Sequence, residues 1–374
     1  MKQKYQDHLD ELKRQSNLRH LSGPVPGGMI NLSSNDYLGI NADRQLKAEF
    51  REMNSSGSLD FSAVSSRLLS GDCAEYDRLE LGIAGAYRRE SCLVLNSGYH
   101  ANIGVLPALA GSRDLILADK LVHASMIDGL NLSKAEVKRF GHVNYEHLGS
   151  LLQKYRKDYE QVFIVTESIF SMDGDLADLH TLVKLKKEYD AFLYVDEAHA
   201  LGVAGPEGLG LAEQCGLTGE VDFIVGTFGK ALASLGAFVV CDAVFREYLI
   251  NTSRSLIFTT ALPPLNLAWT DFIFRKMMRM EDRRKQLWQL SCDFAGALNS
   301  QPSSHIIPVI IGDNREAVCV AGKLRQEGFY VLPVRHPTVP AGTARLRISL
   351  YAGLDMTELD RLIKLLKPYE KNVD

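Results

Sequence analysis

The chain has 374 residues, 46% of them hydrophobic and 24% charged, with a formal net charge of −4 at pH 7. That length suits about two domains around a large core. The weakly acidic balance excludes a general electrostatic affinity for nucleic acid or an anionic membrane, so any phosphate must be held by a local site.

Residues 1–17 alternate charge with Tyr5, Leu9 and Leu12, the pattern of an amphipathic helix that docks on the body or on a partner. A Gly/Pro linker follows at Ser22–Gly28, then a short strand and turn over Ile30–Gly39. A helix is expected near 43–53. Beyond it lies a small-residue loop, Ser55 to Ser66, ending in Arg67-Leu68-Leu69-Ser70-Gly71. From about 72 to 245, helical and strand-like segments alternate, with strands near 92–95, 115–118, 136–139, 161–166, 192–195, 222–227 and 236–241. This is an α/β pattern, a mostly parallel sheet flanked by helices. The runs are continuously apolar, as strands buried on both faces require.

Residues 265–299 read as one long helix, with Arg275, Lys276, Arg279 and Arg283–Lys285 on a solvated face. After Pro302 the pattern becomes strand 305–311, helix 314–327, strands near 329–334 and 344–350, and a helix from 356 to about 368. The expected division is an N-terminal helix and arm over 1–40, a large domain over 41–280 and a small α+β domain over 281–374.

Six cysteines, at 73, 92, 215, 241, 292 and 319, form no Cys-x-x-Cys pair. Most lie in apolar surroundings, which points to buried reduced thiols rather than disulfides or metal ligands. The polar N-terminus has no apolar signal core, and no run approaches the ~18–20 apolar residues of a membrane span. A cytoplasmic protein is expected, with no metal.

The chemistry gathers between Phe192 and Lys230. Phe192-Leu193-Tyr194-Val195 ends in Asp196 and, three residues on, His199; a second apolar run, Phe223 to Gly229, ends in Lys230. In open α/β sheets, ligands bind outside the carboxyl ends of the strands. Acids that end strands and lysines that follow glycine are common on surfaces. An acid, an imidazole and an amine delivered together suit pyridoxal phosphate (PLP): lysine for the cofactor aldehyde, acid for the pyridine nitrogen, imidazole for the phenolic oxygen. Asn96-Ser97-Gly98-Tyr99, where strand 92–95 meets a helix, would offer backbone N–H groups to the phosphate. Other motifs fail: Ile224 stands where a P-loop needs glycine and Ala231 where it needs Ser or Thr. No Gly-x-Gly-x-x-Gly opens a helix, and His142 and His147 read as surface residues.

Together these segments resemble the α-oxoamine synthases, PLP enzymes of the aspartate-aminotransferase fold. The resemblance runs from Asn35 to Leu350. It rests on Ser34-Asn35-Asp36-Tyr37-Leu38-Gly39, Ser66–Gly71, Ser97-Gly98-Tyr99-His100-Ala101-Asn102, His123-Ala124-Ser125, Glu167–Asp175, Val195-Asp196-Glu197-Ala198-His199, Thr227-Phe228-Gly229-Lys230 and Pro337–Arg347. It implies that Lys230 carries the cofactor and shuttles a proton, Asp196 meets the pyridinium nitrogen, His199 contacts the phenolic oxygen and His123 stacks on the ring. It further implies that Gly98, Tyr99 and Thr227 hold the phosphate, that Thr260 reaches the phosphate of a second subunit in a homodimer, and that Glu167, Ser171 and Asn35 line the site.

Arg345 and Arg347 face the same way by strand alternation; the resemblance favours Arg347 for the amino acid's carboxylate, with Thr338 also on the substrate side. Within the family, the final segment and the lack of an N-terminal extension favour L-alanine and a pimeloyl thioester, on coenzyme A or acyl carrier protein, as substrates. The alternatives are another synthase acting on glycine and a short acyl donor, or an idle fold relative that only binds. Two departures from the family pattern bear on substrate detail: Phe61-Ser62-Ala63-Val64-Ser65-Ser66 lacks the usual glycines, and Tyr76 replaces a frequent histidine.

Overall fold

The computed structural model describes residues 2–369 apart from 56 and 58. Seven strands pair into one sheet: β1 (Ser91–Leu95), β2 (Leu115–Asp119), β3 (Glu136–Phe140), β4 (Val162–Glu167), β5 (Phe192–Asp196), β6 (Phe223–Thr227) and β7 (Ala237–Cys241). Their spatial order is β1-β7-β6-β5-β4-β2-β3. Strands β2 to β6 run parallel, and β7 is antiparallel to both β6 and β1.

Every residue of β1, β2, β4, β6 and β7 is buried. That accounts for their unbroken apolar sequences, because a sheet covered on both faces has no polar side to alternate with. The edge strand β3 differs: Glu136, Lys138 and Arg139 remain at least partly exposed and only Phe140 is buried. Charges on an edge strand discourage further pairing. The parallel register sets Glu167 of β4 opposite Asp196 of β5, and Asp196 opposite Val225 of β6. Polar residues thus collect at one edge of an apolar sheet.

The chain forms two compact units. One comprises Leu38–Phe170 and Leu176–Arg284 and contains the seven-stranded sheet. The other comprises Met1–Tyr37, Ser171–Asp175 and Lys285–Asp374. It holds an antiparallel sheet in the order Pro333–Val334, Ala344–Ser349, Ile306–Gly312, and a parallel pair of Ile30–Asn31 with Phe329–Tyr330. Helices Asn314–Gln326 and Met356–Leu366 complete it. The N-terminal helix Gln3–Arg14 buries none of its residues, and Tyr5 and Leu9 stay exposed. Asn17 just beyond it is buried and accepts from Asn314 Nδ2 at 3.0 Å.

Several expectations are corrected. The long helix over 265–299 is two helices, Pro264–Met277 and Glu281–Ala297. The break has a chemical partner. Arg284 is buried rather than solvated, and it donates to the carbonyls of Met277 at 2.8 Å, Met278 at 3.2 Å and Pro206. A guanidinium with five fixed donors can satisfy the carbonyls that a helix C-terminus leaves unbonded. Arg283 likewise binds the Leu38 carbonyl at 2.9 Å and Asp43. The strand expected near 329–334 is two short ones, interrupted between Tyr330 and Pro333. All six cysteines are free, but only Cys92 and Cys241 are buried and Cys319 is exposed. His142 is half-buried rather than on the surface, with Nδ1 2.9 Å from Asp119 Oδ1.

The sheet unit also buries a cluster of ion pairs. Glu80 accepts from Arg67 at 2.6 Å, Arg246 at 2.8 Å and the Val94 N–H at 2.8 Å. Arg67 also lies 3.7 Å over the Tyr76 ring and pairs with exposed Asp72 at 2.9 Å. The Tyr76 hydroxyl accepts from the Leu262 N–H at 2.7 Å. Removing one partner of a buried pair strands the other. Glu80→Ala should therefore lower the unfolding free energy by about 3–5 kcal/mol in a urea titration. Asp72→Ala, which removes the exposed partner, should cost at most about 1 kcal/mol.

Candidate active site

The carboxyl edge of the sheet assembles the site. Lys230 follows the end of β6, and its Nζ lies 2.9 Å from His199 Nε2. His199 is buried, in a turn that starts at Asp196. Two adjacent residues anchor the start of that turn. Asp196 Oδ1 accepts from the Ala198 N–H at 2.9 Å. The next residue, Glu197, is fully buried and accepts from Ser168 Oγ at 2.5 Å and from the N–H groups of Leu211 at 3.0 Å and Ala212 at 2.8 Å. Gly210 must lack a side chain here: a Cβ would lie 2.8 Å from the Glu197 carboxyl, and its φ of +115° is open only to glycine.

Asp196 Oδ2 accepts from Asn102 Nδ2 at 2.9 Å. Opposite Asp196, Glu167 is buried with its Oε1 lacking any hydrogen-bond partner among the described residues. Burial above all, and then the charge of Asp196, push the Glu167 carboxyl well above the usual carboxylate range. The backbone N–H of His123 opposes that shift without cancelling it. His123, at the N-terminus of helix Ala124–Leu132, has Nδ1 2.8 Å from Ser125 Oγ. Burial lowers its pKa, outweighing the opposing pull of Asp196. Its ring is neutral.

Gly98 and Tyr99 open helix Gly98–Leu109, whose N-cap Ser97 accepts from the His100 N–H at 3.1 Å. The first N–H groups of a helix have no acceptor within it and make an anion site with the helix dipole. Thr227 closes this corner: a Cβ on Gly98 would stand 3.7 Å from Thr227 Oγ1. Asn96 Nδ2 donates to the Thr260 carbonyl at 2.7 Å, which brings exposed Thr260 to the same end of β1. The Tyr99 side chain is exposed and donates to Asp128 at 2.5 Å.

The second unit holds the remaining expected residues. Arg345 is buried against Asp173. Arg347 instead donates to the Ser171 carbonyl at 2.5 Å, Asn35 Oδ1 at 3.2 Å, Ser349 Oγ at 2.6 Å and the Tyr37 hydroxyl at 3.3 Å. All are neutral, so Arg347 carries a charge that no described carboxylate answers. Thr338 is exposed and accepts from Arg19 at 3.0 Å. It lines a cavity of about 160 Å³ with Asn17, Arg19, Met172, Arg335 and His336. Burial, and then the charge of Arg19, lower the pKa of Arg335. Among the described residues no carboxylate lines this cavity.

Sequence reasoning assigned no role to Asn102, Ser125, Tyr194, Arg19 or Arg335. Asn102 did carry a signal, a polar residue inside an otherwise apolar helix. For the arginines there was none, because 316 residues separate the two in sequence.

The sheet-edge set suits a flat, anionic pyridine aldehyde such as PLP: an amine, a carboxylate, a neutral ring to stack, N–H groups for phosphate and a buried carboxyl with one unpaired oxygen. Known proteins agree. The model of the aminotransferase class I and II family matches residues 27–366. An 8-amino-7-oxononanoate synthase of Chlorobaculum parvum is 49% identical over 348 residues, covering 91% of this chain and 89% of that protein. A serine palmitoyltransferase of S. paucimobilis, solved with a bound PLP–myriocin aldimine, superposes with a TM-score of 0.89 at 28% identity, over 98% of this chain and 97% of that one. The 8-amino-7-oxononanoate synthase of Francisella tularensis gives 0.77 at 27% identity, over 92% and 98%. Among the described residues no helix is long and apolar enough to cross a membrane. With this site chemistry and these relatives, the chain belongs to the aminotransferase class I and II family and is a PLP-dependent transferase.

Proposed function

We propose that the protein condenses L-alanine with a pimeloyl thioester, releasing CO2 and the thiol carrier, to give 8-amino-7-oxononanoate for biotin synthesis. Bound PLP supplies an electron sink for negative charge at the amino acid's α-carbon. The protein's own groups then have separate tasks. Lys230 takes the α-proton and returns one at the end of the turnover, with His199 holding its Nζ in position. Asp196 faces the pyridine nitrogen, and the neutral His123 ring lies on the cofactor without adding positive charge. Gly98, Tyr99 and Thr227 hold the phosphate, and Thr260 reaches the phosphate of a second copy in a homodimer. Glu167 and Ser171 line the site.

Arg347 takes the alanine carboxylate, beside Asn35. Its fork matches a carboxylate bidentately, and its neutral partners leave its charge uncompensated. The acyl half is carried by one observation, the cavity lined by Arg19, Arg335 and Thr338 with no carboxylate in it. A pimeloyl chain ends in a second carboxylate; an acetyl donor has none. The 49% identity to a synthase of that name supports the same substrate pair.

Lys230→Ala should reduce turnover of alanine and pimeloyl thioester by at least about 10²-fold, the worth of one positioned proton-transfer group. Near-native turnover in that variant would refute the role. Arg19→Ala should raise KM for the pimeloyl thioester with little change in KM for alanine; the reverse split would move Arg19 away from the acyl chain. A wild-type enzyme that prefers glycine and acetyl thioester would be a different synthase of the same family.

Glu167 also makes a pH prediction. Its folded pKa lies above its unfolded value of about 4.3, so the folded state holds a proton that the unfolded chain loses as pH rises. The stability this proton contributes is present below about pH 4.3 and is lost as pH climbs toward the folded pKa. Glu167→Gln, neutral in both states, should match the wild type at low pH and become progressively more stable by comparison toward pH 8, in urea unfolding of the cofactor-free protein.

A further inference from the structure

Asn102 sits one turn into helix Gly98–Leu109 and is 1% exposed. Its amide makes three bonds: Nδ2 to Asp196 Oδ2 at 2.9 Å, Nδ2 to Ser125 Oγ at 2.9 Å, and Oδ1 from the Tyr194 hydroxyl at 2.6 Å. The direction of each is forced. A carboxylate only accepts, so the NH2 end must face Asp196. Burial raises the Tyr194 pKa well above its usual value, so Tyr194 stays a phenol and donates to Oδ1. The second amide hydrogen goes to Ser125 Oγ, which leaves the serine's own hydrogen for His123 Nδ1 at 2.8 Å. His123 Nδ1 also accepts from the Ser125 N–H at 3.2 Å. With two donors on Nδ1, the ring proton belongs on Nε2.

We propose that Asn102 is a positioning residue for the cofactor: through Asp196 Oδ2 it orients the carboxylate that meets the pyridine nitrogen, and through Ser125 Oγ it holds His123 as the uncharged Nε2–H tautomer. One amide thereby aligns two groups that approach the ring from different strands and loops. A purely structural network would tie the helix to the sheet and leave the cofactor's properties alone. The relay predicts more: loss of Asn102 frees the Ser125 hydroxyl to rotate and accept from an Nδ1–H imidazole, and leaves Asp196 Oδ2 without its donor.

The proposal rests on the assignment of Asp196 and His123 to the cofactor, and the experiment separates the two. In cofactor-free full-length protein labelled with 15N-histidine, His123, assigned by the signal lost in His123→Gln, should show an unprotonated Nδ1 and a protonated Nε2. Asn102→Leu and Ser125→Ala should each populate the Nδ1–H form. On reconstitution, Asn102→Leu should weaken PLP binding roughly 10- to 100-fold, the worth of a hydrogen bond to a charged group, and shift the pH midpoint of the visible cofactor band. Ser125→Ala, which leaves the Asp196 branch intact, should shift that affinity much less.

A wild-type His123 protonated on Nδ1 overturns the proposal. So does a folded Ser125→Ala with wild-type His123 nitrogen shifts, even where Asn102→Leu does not fold. Wild-type PLP affinity and pH midpoint in a folded Asn102→Leu also overturn it. Failure of the wild type to bind PLP would instead refute the site assignment, with the nitrogen shifts of the relay unaffected.

Discussion

Two carboxyl groups side by side at the end of a buried parallel sheet are the constraint on which the site depends. Parallel pairing sets Glu167 and Asp196 in direct register on β4 and β5, and both are nearly inaccessible to water. Two charges cannot be kept there cheaply, because burial disfavours each ion and each disfavours the other. Hydrogen bonding separates their roles. Asp196 receives donors from Ala198 and Asn102, while Glu167 has an oxygen with none among the described residues, and burial raises its pKa well above the usual carboxylate range. The two carboxyls thus differ through their surroundings rather than through their own chemistry.

The rest of the sheet edge holds that pair in place. Glu197, one residue past Asp196, is tied to Ser168 and to two backbone N–H groups, so the turn leading to His199 is anchored at a second point. His199 then meets Lys230 from the neighbouring strand. A site built on strand ends and short anchored turns keeps its geometry better than one on long loops, because few torsions separate the reactive atoms from the sheet.

Arginines show how burial sorts residues that look alike in sequence. Arg345 and Arg347 share a strand face, yet Arg345 is neutralised by Asp173 and Arg347 meets only neutral oxygens. Arg284, in a run of exposed charges, satisfies the carbonyls at a helix break. Arg19 and Arg335 share a cavity with no acid to offset them. Similar side chains thus end in different surroundings: an acid for Arg345, carbonyls for Arg284 and neutral oxygens for Arg347.

Sequence alone determined the sheet and its chemistry. Unbroken apolar runs marked the buried strands because burial on both faces removes alternation, while the edge strand Glu136–Phe140 carries charges; the polar residues just past the central runs, Asp196, His199 and Lys230, stood out against them. Where sequence reasoning erred, the missing information was long-range. A periodic pattern through 265–299 could not reveal a helix break whose carbonyls are capped by Arg284, since the bond lies between residues whose meeting depends on the packed fold. Alternation could put Arg345 and Arg347 on one face but could not say which would find Asp173, 172 positions away. Nor could it join Asn102 to Asp196 or Arg19 to Arg335. Periodicity reports which face of an element is buried; only tertiary structure decides which groups from distant elements are buried together, and burial is what sets their protonation and their pairing.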